Sequence, residues 1–129
     1  MIDYADDLRA ERLRAVIRRA GAGARLQLFA GVRPLSPSFG PAEAQLVAEL
    51  ECADRFGTIV GNGVLELAGM RPDPSARASA SPTWFRFVDA DGVGFIDGDI
   101  GTDLILSNSY IAATQPVVVE SFTIREGNG

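Results

Sequence analysis

The chain has 129 residues, of which 47% are apolar and 22% charged, and its formal net charge is −5. This length suits one ordinary core, which argues against two independent domains. The apolar fraction excludes a chain that is disordered by composition, and the acidic balance argues against a nucleic-acid partner, because phosphate binding requires a basic face.

Two residue types that catalysis often needs are absent from the sequence. It contains no histidine and no lysine, and all 12 basic residues are arginine. Without histidine, Ser-His-Asp and Cys-His arrangements cannot be assembled and the usual zinc sites lose their main ligand. Without lysine, Schiff-base and Ser-Lys mechanisms are excluded. We therefore expect a protein that is not an enzyme and that needs no cofactor.

Cys52 is the single cysteine, so an intramolecular disulfide cannot form. We expect a small buried side chain on a strand rather than a reactive thiol. No apolar run approaches the length of a membrane span, and the first residues, MIDYADDL, are acidic where a secretory signal would be basic. These features predict a soluble protein made in the cytoplasm, without a membrane partner.

The first predicted element is a helix from about Tyr4 to Ala20. Leu13, Val16 and Ile17 fall on one face at helical spacing, and Gly21 can end the helix. An isolated helix of this length is marginal in water, so the narrow apolar stripe must pack on its own β-domain or on a partner chain. We divide the chain into an N-terminal helical arm, residues 1–22, and a β-domain, residues 23–129.

After residue 21 the apolar period changes from helical to alternating. Strands are predicted at Arg25–Ala30 and at Gln45–Ala53, where a short helix is the alternative. The loop between them is VRPLSPSFGP, with three prolines. The side chains expected on the inner face of the second strand are Leu46, Ala48, Leu50 and Cys52. TIVGNGVLEL contains an Asn-Gly step that indicates a hairpin.

The second half of the chain reads as a meander of short strands. The segment RPDPSARASASP, residues 71–82, is predicted to be a surface loop. TWFRFV, GVGFIDGDIG, DLILSN and PVVVESFTI follow, with turn signals about every eight to twelve residues, a pattern typical of sandwiches and small barrels. The predicted fold class is mainly β: an N-terminal α-helix followed by a small antiparallel β-sandwich, jelly-roll or Ig-like, or a barrel.

The acidic stretch DADGVGFIDGDIGTD invites comparison with a calcium site. An EF-hand loop beginning at Asp89 would need an oxygen ligand at its fifth position and Glu at its twelfth, where the sequence has Val93 and Ile100. The aspartates of a looser site would be Asp89, Asp91, Asp97, Asp99 and Asp103. Because Asp and Gly are ordinary turn residues, we favour plain turns and predict no metal site.

The ordered segments RLQLFAG, WFRFVDADG, GDIG, DLILSN and VVVESFTI, after an N-terminal helix, resemble a family of small tailed-bacteriophage virion proteins. The resemblance covers most of the chain, although ATQP stands where many relatives have a glycine before the last strand. It implies a non-enzymatic capsid decoration or cement protein on the virion exterior. The implied partners are the major capsid protein and further copies of the chain, with a trimer favoured.

With this implied role, we expect the partner contacts to lie on the helix, whose apolar stripe has too little to bury, and on exposed residues of the proline-rich loop. The candidates are Leu13, Val16 and Ile17 on the helix and Phe39 in the loop.

Two alternatives remain open. The first keeps the virion but places the protein at the neck or tail, as a head-tail connector or tail-fibre-associated protein. The second is a carbohydrate-binding or hydrolytic β-sandwich that uses Trp84 or Tyr110 as a sugar platform.

Overall fold

The computed structural model describes residues 6–41, 44–60, 64–101, 104, 106, 110–119 and 123–125. Its elements, in chain order, are α1 (Asp6–Ala20), β1 (Arg25–Ala30), β2 (Gln45–Glu51), β3 (Gly57–Ile59), β4 (Val64–Leu67), β5 (Trp84–Val88), β6 (Gly94–Asp99) and β7 (Thr123–Arg125). The predicted class, mainly β with an N-terminal helix, is confirmed.

The strands form two antiparallel sheets. Sheet A has the order β2-β1-β5-β6 and sheet B the order β3-β4-β7. Buried side chains of both sheets belong to one core cluster, which also includes residues of α1. Within the described residues the strands do not close into a barrel, so the sandwich, and not the barrel, is the architecture.

The inner face of sheet A is built by strict alternation along β1. Leu26 pairs with Leu50 on one side and Phe87 on the other, and Leu28 pairs with Phe85. All of these side chains are almost fully buried. The side chains between them point to the opposite face, as the two-residue period of a strand requires.

One β-bulge changes which residues of β2 enter the core. Leu28 pairs with Ala48 but Phe29 pairs with Leu46, so Val47 is an extra residue in the ladder. Val47 is 0% exposed and Leu46 only half-buried. The prediction that Leu46 lies on the buried face is therefore wrong, because a bulge shifts the alternation by one residue.

The helix α1 packs on β3 and β4 and shares their core. Leu13 is 0% exposed, and Val16 and Ile17 pack half-buried against the same cluster. Gly21 ends the helix with a φ of 61° and donates its N–H to the Ile17 carbonyl at 3.1 Å, as predicted. In the part of the chain that the structure describes, no helix has the length and apolarity of a membrane span.

The segment 71–82 is not simply a surface loop. Asp73 forms an antiparallel bridge with Val117, and Ala76 is 4% exposed. The Asp73 carboxylate accepts a hydrogen bond from the Glu49 backbone N–H at 2.9 Å. Because its backbone pairs with the C-terminal segment, the loop prediction is wrong for these buried positions.

The hairpin is confirmed as far as it is described, but the last strand is confirmed only at its end. Of the predicted strand at residues 116–124, residues 116–119 form no strand beyond the bridge at Val117, and the strand observed is Thr123–Arg125. β3 and β4 pair antiparallel, while the Asn-Gly step between them lies outside the described residues. β7 adds to β4 and completes sheet B. Of DLILSN, only Leu104 and Leu106 are described, and residues 120–122 of the last predicted strand lie outside the described part as well.

Candidate functional site

The outer face of sheet A carries a row of polar side chains, one from each strand. In the strand register, Glu49 lies beside Gln27, Gln27 beside Arg86, and Arg86 beside Asp97. Gln27 Nε2 donates to Glu49 Oε2 at 2.8 Å. Arg86 donates to Asp97 twice, from Nε at 2.7 Å and from Nη2 at 3.0 Å. The row follows from the strand alternation that sends the apolar neighbours inward.

Arg86 and Asp97 form a buried ion pair. Their side chains are 5% and 4% exposed. A charge removed from water to that degree requires a partner, and the paired hydrogen bonds supply the strong forked geometry of a guanidinium on a carboxylate. The Arg86 guanidinium also lies 5.4 Å from the Trp84 ring centroid, and Trp84 stacks on Phe29 at 4.3 Å. Both charges are thus neutralised inside the protein.

A loop with three prolines, residues 32–41, lies over this cluster and is named the proline loop here. Its first end is fastened at Gly31, whose carbonyl accepts a hydrogen bond from Thr83 Oγ1 at 2.7 Å. The Gly31 N–H donates back to the same oxygen at 3.2 Å. Arg33 Nε lies 3.4 Å from Asp99 Oδ1, which ties the loop to β6.

The middle of the proline loop approaches the sheet closely. Arg86 Nη2 lies 3.5 Å from the Ser36 carbonyl oxygen, and a turn brings the Phe39 N–H to the same oxygen at 3.0 Å. At Gly94 of β6, a Cβ atom would lie 2.8 Å from the Pro37 carbonyl oxygen. Glycine is therefore required there, because any side chain would push the loop away from the sheet.

The proline loop presents apolar side chains to solvent. Val32 is 87% exposed, Leu35 98% and Phe39 57%. Single exposed apolar residues are common, but a group of them on one anchored loop is typical of a surface that another molecule covers. Because the loop is already held at its first end and in its middle, docking would cost little ordering entropy. This surface is the candidate functional site.

The structure separates the predicted contact residues into two groups. Leu13 is 0% exposed in the chain's own core, so the prediction that it contacts a partner is wrong. Its burial follows from the docking of α1 on sheet B, which uses the apolar stripe internally. Val16 and Ile17 keep part of their surface, and Phe39 is exposed; their contacts with a partner stay predictions.

The two aromatic residues considered as a sugar platform differ in exposure. Trp84 is 1% exposed and stacked on Phe29, so no sugar ring can reach its face. Its Nε1 has no hydrogen-bond partner among the described residues. Tyr110 is 53% exposed. A platform role is excluded for Trp84 and stays a prediction for Tyr110.

The acidic turn after β5 is held by its own hydrogen bonds. Asp89 Oδ1 accepts from the backbone N–H groups of Asp91 at 3.0 Å and Val93 at 2.9 Å, which is the turn role expected of this residue. The hydrogen bond from Arg19 holds the pKa of Asp89 below its usual value, with the Val93 N–H acting in the same direction. Among the described residues, no three acidic or cysteine side chains form a metal-binding group; Asp103 lies outside them.

Cys52 lies just after β2 and is 8% exposed in the core cluster. Burial raises the pKa of its thiol to about 12. The thiol is therefore protonated at neutral pH and lacks the thiolate that reactive cysteines need. The prediction that Cys52 is a small buried side chain is confirmed, although the residue follows the strand and is not part of it.

Comparison of the chain with protein-family models, with curated proteins and with solved structures found no match. The functional argument therefore depends on this chain's own residues.

Sequence reasoning identified Phe39 but missed Val32 and Leu35, which belong to the same proline loop. The signal was present in VRPLSPSFGP, since an apolar residue between loop prolines has no strand or helix face to turn inward.

Proposed function

We propose that this protein is a non-enzymatic assembly protein that docks on a repeating protein surface through its proline loop. The observation that carries the proposal is the exposure of Val32, Leu35 and Phe39 on a loop fastened to a buried ion pair. The sandwich beneath acts as a rigid support. The two buried charged side chains, Arg86 and Asp97, bind each other.

The size of this contact favours many copies rather than a single tight complex. Full burial of an apolar side chain contributes about 1.5–3 kcal/mol, so the apolar side chains of one proline loop would supply roughly 5–9 kcal/mol. Association costs an estimated 4–15 kcal/mol, which leaves one loop with weak affinity. Linking several loops in a symmetric oligomer on a lattice removes most of that cost for every contact after the first.

The resemblance to small tailed-bacteriophage virion proteins implies that the repeating surface is a viral capsid. On this proposal the protein is a capsid decoration or cement protein, its partner is the major capsid protein, and it acts on the virion exterior as a homo-oligomer, with a trimer favoured. A trimer placed at a lattice symmetry axis presents its proline loops to equivalent capsid subunits.

A reconstitution experiment with matched variants tests the proposal. Particles that lack the protein are mixed with purified wild type, with Leu35→Ser/Phe39→Ser, or with the control Tyr110→Ser/Val118→Ser, which also removes two exposed apolar side chains, 53% and 52% exposed. Bound protein is measured after sedimentation. We expect the loop variant to lose about tenfold or more in affinity, while the control stays near wild type.

Two results would contradict the proposal. Wild-type binding by the loop variant would show that the proline loop is not the contact. An equal loss in loop and control variants would indicate non-specific hydrophobic adsorption. Melting temperatures of both variants close to that of the wild type would show that the folds are intact.

A further inference from the structure

A groove of about 450 Å³ lies between α1 and β3, at a different place from the proline loop. The helix contributes one wall and the beginning of sheet B the other. The lining residues are Arg14, Ile17, Arg18, Arg55, Thr58 and Ile59.

The arginines of this groove have no counter-charge among the described residues. Six other arginines do form ion pairs with Asp or Glu: Arg19, Arg25, Arg33, Arg71, Arg77 and Arg86. No described carboxylate lies within ion-pair distance of Arg14, Arg18 or Arg55. This is unusual in a chain with a net charge of −5, where acidic residues outnumber basic ones.

The spacing of the groove arginines costs the helix some stability. Arg14 and Arg18 are four residues apart on α1, a spacing at which like charges face each other and repel. Arg55 adds a further positive charge from the opposite wall. Local arrangements that work against folding are often kept where they serve binding.

The floor of the groove combines apolar surface with a strand edge. Ile17 and Ile59 are half-buried and keep part of their surface in the groove. β3 is an edge strand of sheet B. In an antiparallel ladder, hydrogen-bonded residue pairs alternate with pairs that are not hydrogen-bonded to each other. The Val60 N–H donates to the Val64 carbonyl, so the N–H and C=O of the preceding residue, Ile59, point away from β4.

We propose that this groove binds an extended, carboxylate-rich segment of a partner protein. The guanidinium groups suit carboxylates, which they can hold through paired charge-assisted hydrogen bonds. The isoleucines accept an apolar side chain of the segment, and the outward backbone groups of β3 can pair with its extended main chain. This inference goes beyond docking through the proline loop and does not depend on it.

The partner chemistry follows from charge and size. A nucleic acid would bring phosphates along its whole length against a protein surface that is acidic overall, and its binding would need a basic face much longer than this groove. A protein segment can place a few carboxylates in the groove and remain neutral or apolar elsewhere. Charge complementarity therefore favours an acidic peptide.

The test is a binding titration with the full chain at low salt. The probe is a fluorescein-labelled short peptide in which glutamates flank one central Ile, and the comparison peptide has Gln at every Glu position. The groove variant is Arg14→Gln/Arg18→Gln/Arg55→Gln. The control is Arg33→Gln/Arg71→Gln/Arg77→Gln, which removes the same number of positive charges from outside the groove.

We expect the wild type and the control to bind the Glu peptide with similar affinity and the groove variant to bind about tenfold or more weakly. The Gln peptide should bind weakly to the wild type and to both variants, and added salt should weaken the binding of the Glu peptide. Equal losses in both triple variants would overturn the proposal, because bulk charge would then be responsible. Absence of Glu-peptide binding, or tighter binding of a labelled single-stranded oligonucleotide or of inorganic phosphate, would overturn it too.

Discussion

Replacement of Leu13 by Ala tests whether α1 is a structural part of the sandwich or a detachable arm. Leu13 is 0% exposed and belongs to the core cluster that joins both sheets. Leu→Ala removes most of the buried side chain and leaves a cavity that the surrounding strands fill only partly. Both effects lower the free energy of unfolding.

The expected loss is about 3 kcal/mol, within the usual range for a buried leucine. A domain of this size has a total stability of roughly 5–15 kcal/mol, so the loss is a large fraction of it. For a domain of this length, the melting temperature should fall by about 10 °C.

Leu8→Ala is the matched control because it makes the same change on the same helix at a side chain that is 41% exposed. Its cost should be below about 1 kcal/mol. Urea unfolding followed by circular dichroism, together with Trp84 fluorescence, measures both variants. If Leu13→Ala cost no more than Leu8→Ala, the helix would be a separate arm, and the shared core described above would be wrong.

Three further predictions concern the ion pairs and the thiol. Arg86→Met leaves the Asp97 carboxylate buried and unpaired, so the free energy of unfolding in urea should fall by about 3–5 kcal/mol. The double variant Arg86→Met/Asp97→Leu should lose less. Equal losses would show that the pair is not buried as a unit. The pKa of Asp89 is lowered in the folded chain by its bond to Arg19, so the ionised carboxylate stabilises the fold at neutral pH, and this stabilisation is lost as the pH falls through the folded pKa. The stability difference between wild type and Asp89→Asn should therefore shrink from about pH 7 to about pH 2, and a difference that is independent of pH would contradict this account. Cys52, with its pKa raised to about 12 by burial, should react with iodoacetamide only in the urea-unfolded chain; rapid reaction of the folded chain would show that the thiol is accessible.

The regular elements of the fold could be predicted from local patterns. β1 was predicted with the bounds that it has, because apolar and polar residues alternate from Arg25 to Leu28, the apolar run continues to Ala30, and Gly31 ends it. The helix was predicted because its apolar stripe and Gly21 agree. In both cases neighbouring residues in the sequence carry the whole signal.

Features that depend on long-range pairing could not be predicted. The bulge at Val47 comes from the register between β1 and β2, and the burial of Asp73 comes from a bridge to Val117. Neither the register of the two strands nor the bridge can be read from the residues next to Val47 or Asp73. Trp84 was considered as an exposed platform only in an alternative, and the stacking on Phe29 that buries it is set by the pairing of β1 with β5.

The candidate site was predictable only in part. Phe39 was selected because an aromatic residue between loop prolines has little to pack on. The ion pair of Arg86 and Asp97 was not predicted, because the two residues are 11 positions apart and only the hairpin of β5 and β6 brings them together. Residues that anchor the proline loop thus depend on tertiary structure, while residues that it exposes can be read from its composition.

The central claim, docking in many copies on a repeating surface, is tested most directly by counting. Quantitative mass spectrometry of purified particles gives the number of copies of this chain per major capsid protein. Our account predicts a ratio near one or a simple fraction of it, as lattice symmetry requires. About a dozen copies or fewer per particle would place the protein at a neck or tail position, and its absence from particles would contradict the proposed role.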